Sequence, residues 1–212
     1  MTRPQLLALA VASTLGAALA LGFVDLPVAR WVNAHEQSGL WDPAVKILEW
    51  FAGISPSAWV APIVVTGGVL ITLAVERWHR YTRSWMYIAL VYLLARNLMI
   101  WGKTLSGRYR PLQWMNEAGD TFGHRGDGVS FPSGHVVVFA GLLLPLAVAV
   151  PRTRPLLVVI PFIMIARVAV LAHFVSDVFA GLALTALVAW ACAPILTMAV
   201  SSAPATAAPA RR

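Results

Sequence analysis

Apolar residues run along this chain in long blocks, and most polar residues fall between them. Residues 6–24 carry no charge. The next blocks are 58–75, 85–101 (with Arg96 inside it) and 133–150. Residues 156–200 then form a block of 45, which as one helix would run about 67 Å at about 1.5 Å per residue. The hydrocarbon core of a bilayer is about 30 Å thick and takes about 20 residues of helix, so this block predicts two spans. Arg167, His173, Ser176 and Asp177 are its polar punctuation, and the turn is expected near them. The pattern predicts an all-α integral membrane protein with six transmembrane helices.

The stretch between the first two blocks carries its own periodicity. Asp25 with Pro27, and Asp42 with Pro43, read as helix starts. Val28, Trp31 and Val32 share one helical face, as do Val45, Leu48 and Phe51, which predicts two short helices lying in the membrane interface. Trp31, Trp41, Trp50, Trp85, Trp101 and Trp114 fall at block ends, as an aromatic belt would. Lys and Arg favour the cytoplasmic side. With the N-terminus inside, the inner segments hold Arg3, Arg77, Arg80, Arg83, Arg152, Arg154, Arg211 and Arg212. The outer segments hold Arg30, Lys46, Lys103, Arg108, Arg110 and Arg125, spread over longer loops, so N-in, C-in is expected. Arg3, the apolar run and Ala18-Leu19-Ala20 also fit a cleavable signal peptide. The run is long for such a segment, and an uncleaved first span is expected. One domain, residues 1–200, is expected, with an Ala/Pro/Ser-rich tail over 201–212 read as disordered.

Composition narrows the class further. Nine apolar residue types make up 59% of the 212 residues, and charged residues only 12%, about half the soluble norm of about 25%. This excludes an ordinary water-soluble globule and a disordered chain. A lone Cys192 excludes an intrachain disulfide scaffold. The net charge of +7 does not point to nucleic acid, because the cations are scattered between apolar runs and form no stripe.

The unusual polar residues gather at the outer ends of spans three to six. Lys103, Arg108 and Arg110 follow the third span, Ser133 and His135 open the fourth, Arg167 lies late in the fifth, and His173 and Asp177 flank the start of the sixth. Ionisable groups at membrane depth mark functional sites by default. The cations suit a phosphate, with Arg offering a planar fork and Lys a compact charge. Ser133 and Gly134 at a helix start add backbone N–H groups and the positive end of a helix dipole. Asp177 is four residues after His173, on the same helical face, where a carboxylate can fix the imidazole tautomer and free the other nitrogen as nucleophile. His135 is available to protonate a leaving oxygen. Arg108 and Arg125 read as headgroup anchors. His35, His79 and His124 receive no role. Arg96 reads either as a cation behind the site or as a partner for a neighbouring span. The site offers only one carboxylate, Asp177, already engaged with His173. Divalent magnesium would want more, so no metal and no cofactor is expected.

Taken together, Lys103-x6-Arg110-Pro111, then Pro132-Ser133-Gly134-His135, then Arg167-x5-His173-x3-Asp177 resembles the tripartite signature of the type 2 phosphatidic acid phosphatase (PAP2) superfamily. The resemblance spans residues 96–191. It implies a metal-independent phosphatase with a phosphohistidine intermediate. His173 would be the nucleophile, Asp177 its orienter and His135 the general acid, with Lys103, Arg110, Ser133, Gly134 and Arg167 holding the phosphate. There are departures: Ala166 stands where the third block usually has Ser, and Leu171 and Val175 stand where Gly and Pro are frequent.

The expected function is therefore hydrolysis of a lipid phosphate or diphosphate: polyprenyl diphosphate, phosphatidylglycerophosphate, phosphatidate or a lipid A phosphate. The expected place is a bacterial cytoplasmic membrane, with the site facing the periplasm and no obligate protein partner. Discharge to a lipid hydroxyl would instead make a phosphotransferase. A channel or transporter would set buried charges at several depths, whereas here they gather on one side.

Overall fold

The computed structural model describes residues 1–35, 41–51, 59–118 and 128–197. Among these residues there are helices and turns and no strand. Helix α1 (Arg3–Leu19) is started by Thr2, whose backbone N–H donates to Gln5 Oε1 at 2.8 Å. Pro4 sits in the first turn, where a missing N–H costs nothing. A π turn, Ala20–Val24, carries the chain directly into α2 (Asp25–His35). Asp25 and Pro27 therefore do not start a new interfacial helix; one helix runs from Arg3 to His35. A proline ring presses on the carbonyl four residues earlier, here that of Phe23. The π turn covers that residue and absorbs the strain.

Helix α3 (Trp41–Phe51) forms where the second short helix was expected. It packs against α8 (Val159–Ala169), with Trp41 5.7 Å from Phe162 between ring centres. Helix α4 (Val60–Ala74) leads through a 3-10 segment, Glu76–Tyr81, into α5 (Thr82–Ser106). Gly107 ends α5 in the left-handed conformation (φ 53°), its N–H bonded to the Lys103 carbonyl at 3.1 Å, a position glycine takes without a Cβ penalty. A short turn, α6 (Pro111–Gln113), and a π turn follow. Helix α7 (Gly134–Ala149) precedes a 3-10 segment, Pro151–Val158, in which Pro151 and Pro155 delay the α-helix. The fifth apolar helix therefore begins at Val159 rather than at 156. The chain turns at residues 170–174 into α9 (Val175–Cys192), where the polar punctuation placed the turn.

Three helical stretches are long and apolar enough to cross a membrane alone: Arg3–His35, Glu76–Ser106 and Val175–Leu196. α4 and α7 are apolar but shorter, and α8 has 11 residues. Helix α9 is the hub, packed by α1, α5 and α7. Val136, Phe139, Leu144, Ile163 and Val178 make the heart of the core. Leu19, Phe23, Ile63, Leu70 and Leu105 lie exposed on the outside, a surface that hydrocarbon tolerates and water does not. These are the helices of a membrane protein. Of the expected aromatic belt, Trp31, Trp50 and Trp101 are outward. Trp114 is not, being buried edge-on against Phe174.

Met1 and Arg3 mark one end of the bundle, the first reaching the Ala147 carbonyl and the second lying over the Trp190 ring. The other end holds the C-termini of α5 and α8 and the N-termini of α7 and α9, and with them the polar residues.

Candidate active site

Arg108, just past the Gly107 cap, is buried at this end. Its Nη2 donates to Asp25 Oδ2 at 2.9 Å, and its Nη1 to Asp177 Oδ1 at 2.6 Å and Ser176 Oγ at 2.7 Å. The guanidinium lies 4.3 Å from the centre of the Phe174 ring. Asp25 also accepts from the Ser176 backbone N–H and hydroxyl. Ser130 donates to Asp177 Oδ2 at 2.6 Å, and the Phe174 N–H to the same oxygen at 2.9 Å. Ser130 reaches it because residues 128–130 run hard against Arg108. A Cβ at Gly128 would overlap the Arg108 carbonyl, and the Ser130 N–H bonds that carbonyl at 2.9 Å. A carboxylate buried this deeply needs partners for its charge, and Asp177 has Arg108, Ser130 and a helix N-terminus.

Asp177 in turn faces His173. The Nδ1–Oδ2 separation is 3.6 Å, so the carboxylate lies on the Nδ1 side of the ring and leaves Nε2 for other chemistry. His173 is buried, in the turn between α8 and α9. Burial above all, with the positive charges of Lys103 and Arg167, pushes its pKa down to about 4 against the opposing pull of Asp177, which keeps the ring neutral at physiological pH. The turn is tied to Arg167, whose carbonyl accepts the N–H groups of Ala172 and His173 at 3.2 Å each. Leu171 sits in this turn at φ 54°, the left-handed region that favours glycine. This is the residue where the resembling signature often has Gly. Ser133 caps α7 from an extended conformation, its N–H bonded to the Asp177 carbonyl at 3.0 Å. Its buried Oγ makes no hydrogen bond among the described residues, so the hydroxyl is available to a ligand. The following N–H groups open α7 and have no acceptor within the helix.

Around these lie the cations. Lys103, in the last turn of α5, packs near Gly134 and donates to the Val129 carbonyl. It is close enough to Arg110, Asp177 and Arg167 to interact with their charges. Arg110 is exposed at the start of α6. His135 feels both Arg167 and Arg110. Its Nε2 is 2.5 Å from Glu49 Oε1, which is also 3.9 Å from Arg167 Nη1. The structure thus brings all eight expected site residues, His173, Asp177, His135, Lys103, Arg110, Ser133, Gly134 and Arg167, to one end of the bundle. Among the described residues no group of three His, Cys, Asp or Glu converges as metal ligands would.

Four residues of this end were not expected from the sequence. Arg108 is no headgroup anchor: it is the buried hub of the ion-pair network. Ser130 and Glu49 had no expected role, and Asp25 was expected only as a helix start. The available signal was charge accounting, since an acid at the edge of an apolar run must find a cation. Arg96 lies over the ring of Trp59, the residue just before α4, at 5.9 Å. Arg125, His124 and the 201–212 tail lie outside the described residues.

A family model described as the PAP2 superfamily matches residues 81–201. No curated protein and no solved structure matches the chain.

Proposed function

Because the chain belongs to the PAP2 superfamily, a superfamily of phosphatases, we propose that it is a membrane lipid phosphatase working through a phosphohistidine. His173 Nε2 attacks phosphorus in line as the bond to the leaving oxygen breaks. Asp177 holds the ring and meets the positive charge that forms on it. His135 gives its proton to the departing oxygen and takes one back from the water that frees the phosphate. Lys103, Arg110 and Arg167 meet the charge on the equatorial oxygens, with Ser133 and the N-terminus of α7, at Gly134, as hydrogen-bond donors. These cations do the electrostatic work that a divalent metal does elsewhere, so no cofactor enters the cycle.

The observation that carries this is the convergence of two imidazoles, an ion-paired carboxylate and three cations at one end of an otherwise apolar bundle. A lipid substrate is favoured by what lies beside it. An apolar cavity of about 530 Å³ runs between α2, α3, α8 and α9, lined among others by Trp31, Trp41, Val168 and Val175. Val168 adjoins Arg167 in the chain, and Val175 is two residues past His173, so a hydrocarbon tail there leaves its headgroup at the cations. We read the six apolar helices α1, α4, α5, α7, α8 and α9 as six spans, N-in and C-in. The site then faces outward, to the periplasm of a bacterial inner membrane, and the enzyme needs no protein partner.

The test is release of inorganic phosphate by purified protein from polyprenyl diphosphate, phosphatidylglycerophosphate, phosphatidate and a lipid A phosphate, in excess EDTA and with no added acceptor. Release from at least one, with inhibition by vanadate, is expected. Protein inactive in EDTA and revived by magnesium would overturn the metal-free mechanism.

A further inference from the structure

We infer that Glu49 selects the leaving group, making lipid phosphomonoesters rather than diphosphates the preferred substrates; the inference rests on the function proposed above. Glu49 reaches the site from α3, where Val45 is buried and Leu48 packs against the core, so the carboxylate is held in place. Its Oε1 lies 2.5 Å from the imidazole assigned to the leaving oxygen, with Arg167 at 3.9 Å. Among the described residues no other carboxylate pairs with His135. The other charges facing that ring, Arg167 from α8 and Arg110 from the start of α6, are both positive.

Two consequences point the same way. Burial and the neighbouring cations favour a neutral imidazole, which is a poor acid, and a carboxylate in contact works against both. An alkoxide is a strong base and needs that proton as its bond to phosphorus breaks; a departing phosphate is a much weaker base and needs it less. The second consequence is direct repulsion. An oxygen within reach of His135 is also within a few ångströms of Glu49. A neutral alcohol tolerates this, whereas a leaving phosphate brings negative charge to a carboxylate in a partly buried place.

In the monoester reaction the P–O bond breaks as the P–N bond to His173 forms, and the alkoxide leaves with the His135 proton as an alcohol. Water then attacks phosphorus, its proton returns to His135, and the P–N electron pair returns to His173. Glu49 gives up nothing in this cycle; it is a positioning residue.

The experiment compares a polyprenyl monophosphate, the matching diphosphate and an aryl phosphate on the full chain, as wild type, Glu49→Gln and Glu49→Asp. Wild type should prefer the monophosphate. Glu49→Gln should lower kcat on the monophosphate about tenfold or more with little change in KM, and move the alkaline limb of its pH profile to lower pH. The aryl phosphate should change less than about threefold, because its leaving group needs little protonation. The diphosphate should be unchanged or faster, and Glu49→Asp should restore part of the loss. An unchanged monophosphate-to-diphosphate ratio, or an equal loss on all three substrates with the pH limb unmoved, would overturn the role. Failure of the underlying function reads differently: wild type would release phosphate from none of the three.

Discussion

Two sets of charges meet at one end of this bundle, and they are balanced in opposite ways. In the first, Arg108 is closed in by Asp25 and Asp177, with Ser130 and Ser176 completing their hydrogen bonds, all buried. In the second, Glu49 meets His135 and Arg167, and Lys103 and Arg110 lie close enough to add their charges. The first set puts one cation against two acids, whose remaining oxygens are met by hydroxyls and backbone N–H groups, and it holds four segments of chain together. The second has more positive charge than acid to meet it, which is what an anionic headgroup requires. Removing a member of the first should cost structure; removing a member of the second should cost chemistry.

The largest separation should come from His173→Ala. With no nucleophile, turnover should fall by at least about 10³-fold on every substrate, while the detergent-solubilised protein remains folded. His135→Ala should instead spare an aryl phosphate relative to an alkyl one. Equal loss on both, with His173→Ala still active, would reverse the two roles. Next comes a pair of arginines. Arg108→Met leaves Asp25 and Asp177 buried with too little positive charge, a loss of about 3–5 kcal/mol that should appear as a lower unfolding midpoint. Arg110→Met, two residues along and exposed, should leave the midpoint in place and weaken inhibition by vanadate. If both variants melted like the wild type, the two sets would not differ as described.

A smaller effect should follow from pH. Folded His173 titrates near 4 and the unfolded residue near 6.5, so between those values the unfolded chain binds more protons. The contribution of this residue to stability is then complete above about pH 6.5 and is lost as pH falls toward 4. Its imidazole resonance, assigned by comparison with His173→Ala, should stay that of a neutral ring down to about pH 5. A midpoint near 6.5 would contradict the buried, neutral state. The smallest effect concerns Leu171, held at φ 54°. Leu171→Gly relieves about 1–2 kcal/mol of left-handed strain but adds freedom to the unfolded chain, of roughly 0.5–1 kcal/mol. The unfolding midpoint should therefore move little, while β-branched Leu171→Val lowers it more. A larger drop for Gly than for Val would mean that the side chain's packing against Phe174 and Trp114 dominates.

What could be read from the sequence follows the same division. Lys103 with Arg110, Ser133 with His135, and Arg167 with His173 and Asp177 each lie within ten residues of chain, so spacing alone places them together. The five apolar blocks were legible for the same local reason. The Asp25–Arg108 and Glu49–His135 pairs join residues 83 and 86 positions apart, and only the packing of whole helices selects such partners. Local signals also misled at Asp25 and Pro27, where helix-start chemistry was outweighed by continuity with the apolar helix before them. Trp114 looked like a belt residue because nothing nearby in the chain announces Phe174. Both Asp25 and Glu49 precede the stretch matched to the family, residues 81–201, so two of the three carboxylates described at this end come from outside it.

The unbroken helix from Arg3 to His35 also sets an order of assembly. Asp25 is made 83 residues before the arginine that neutralises it and 151 before the serine that bonds it. During synthesis the first helix enters the bilayer with an unmatched acid at its far end, where headgroups and water can still solvate it. It is released from that solvation only when α5 delivers Arg108, and it is locked in place only when α9 arrives against α1. The last helix made therefore closes around the first, and a ribosome that stops before residue 177 leaves a protein with most of its spans and no site.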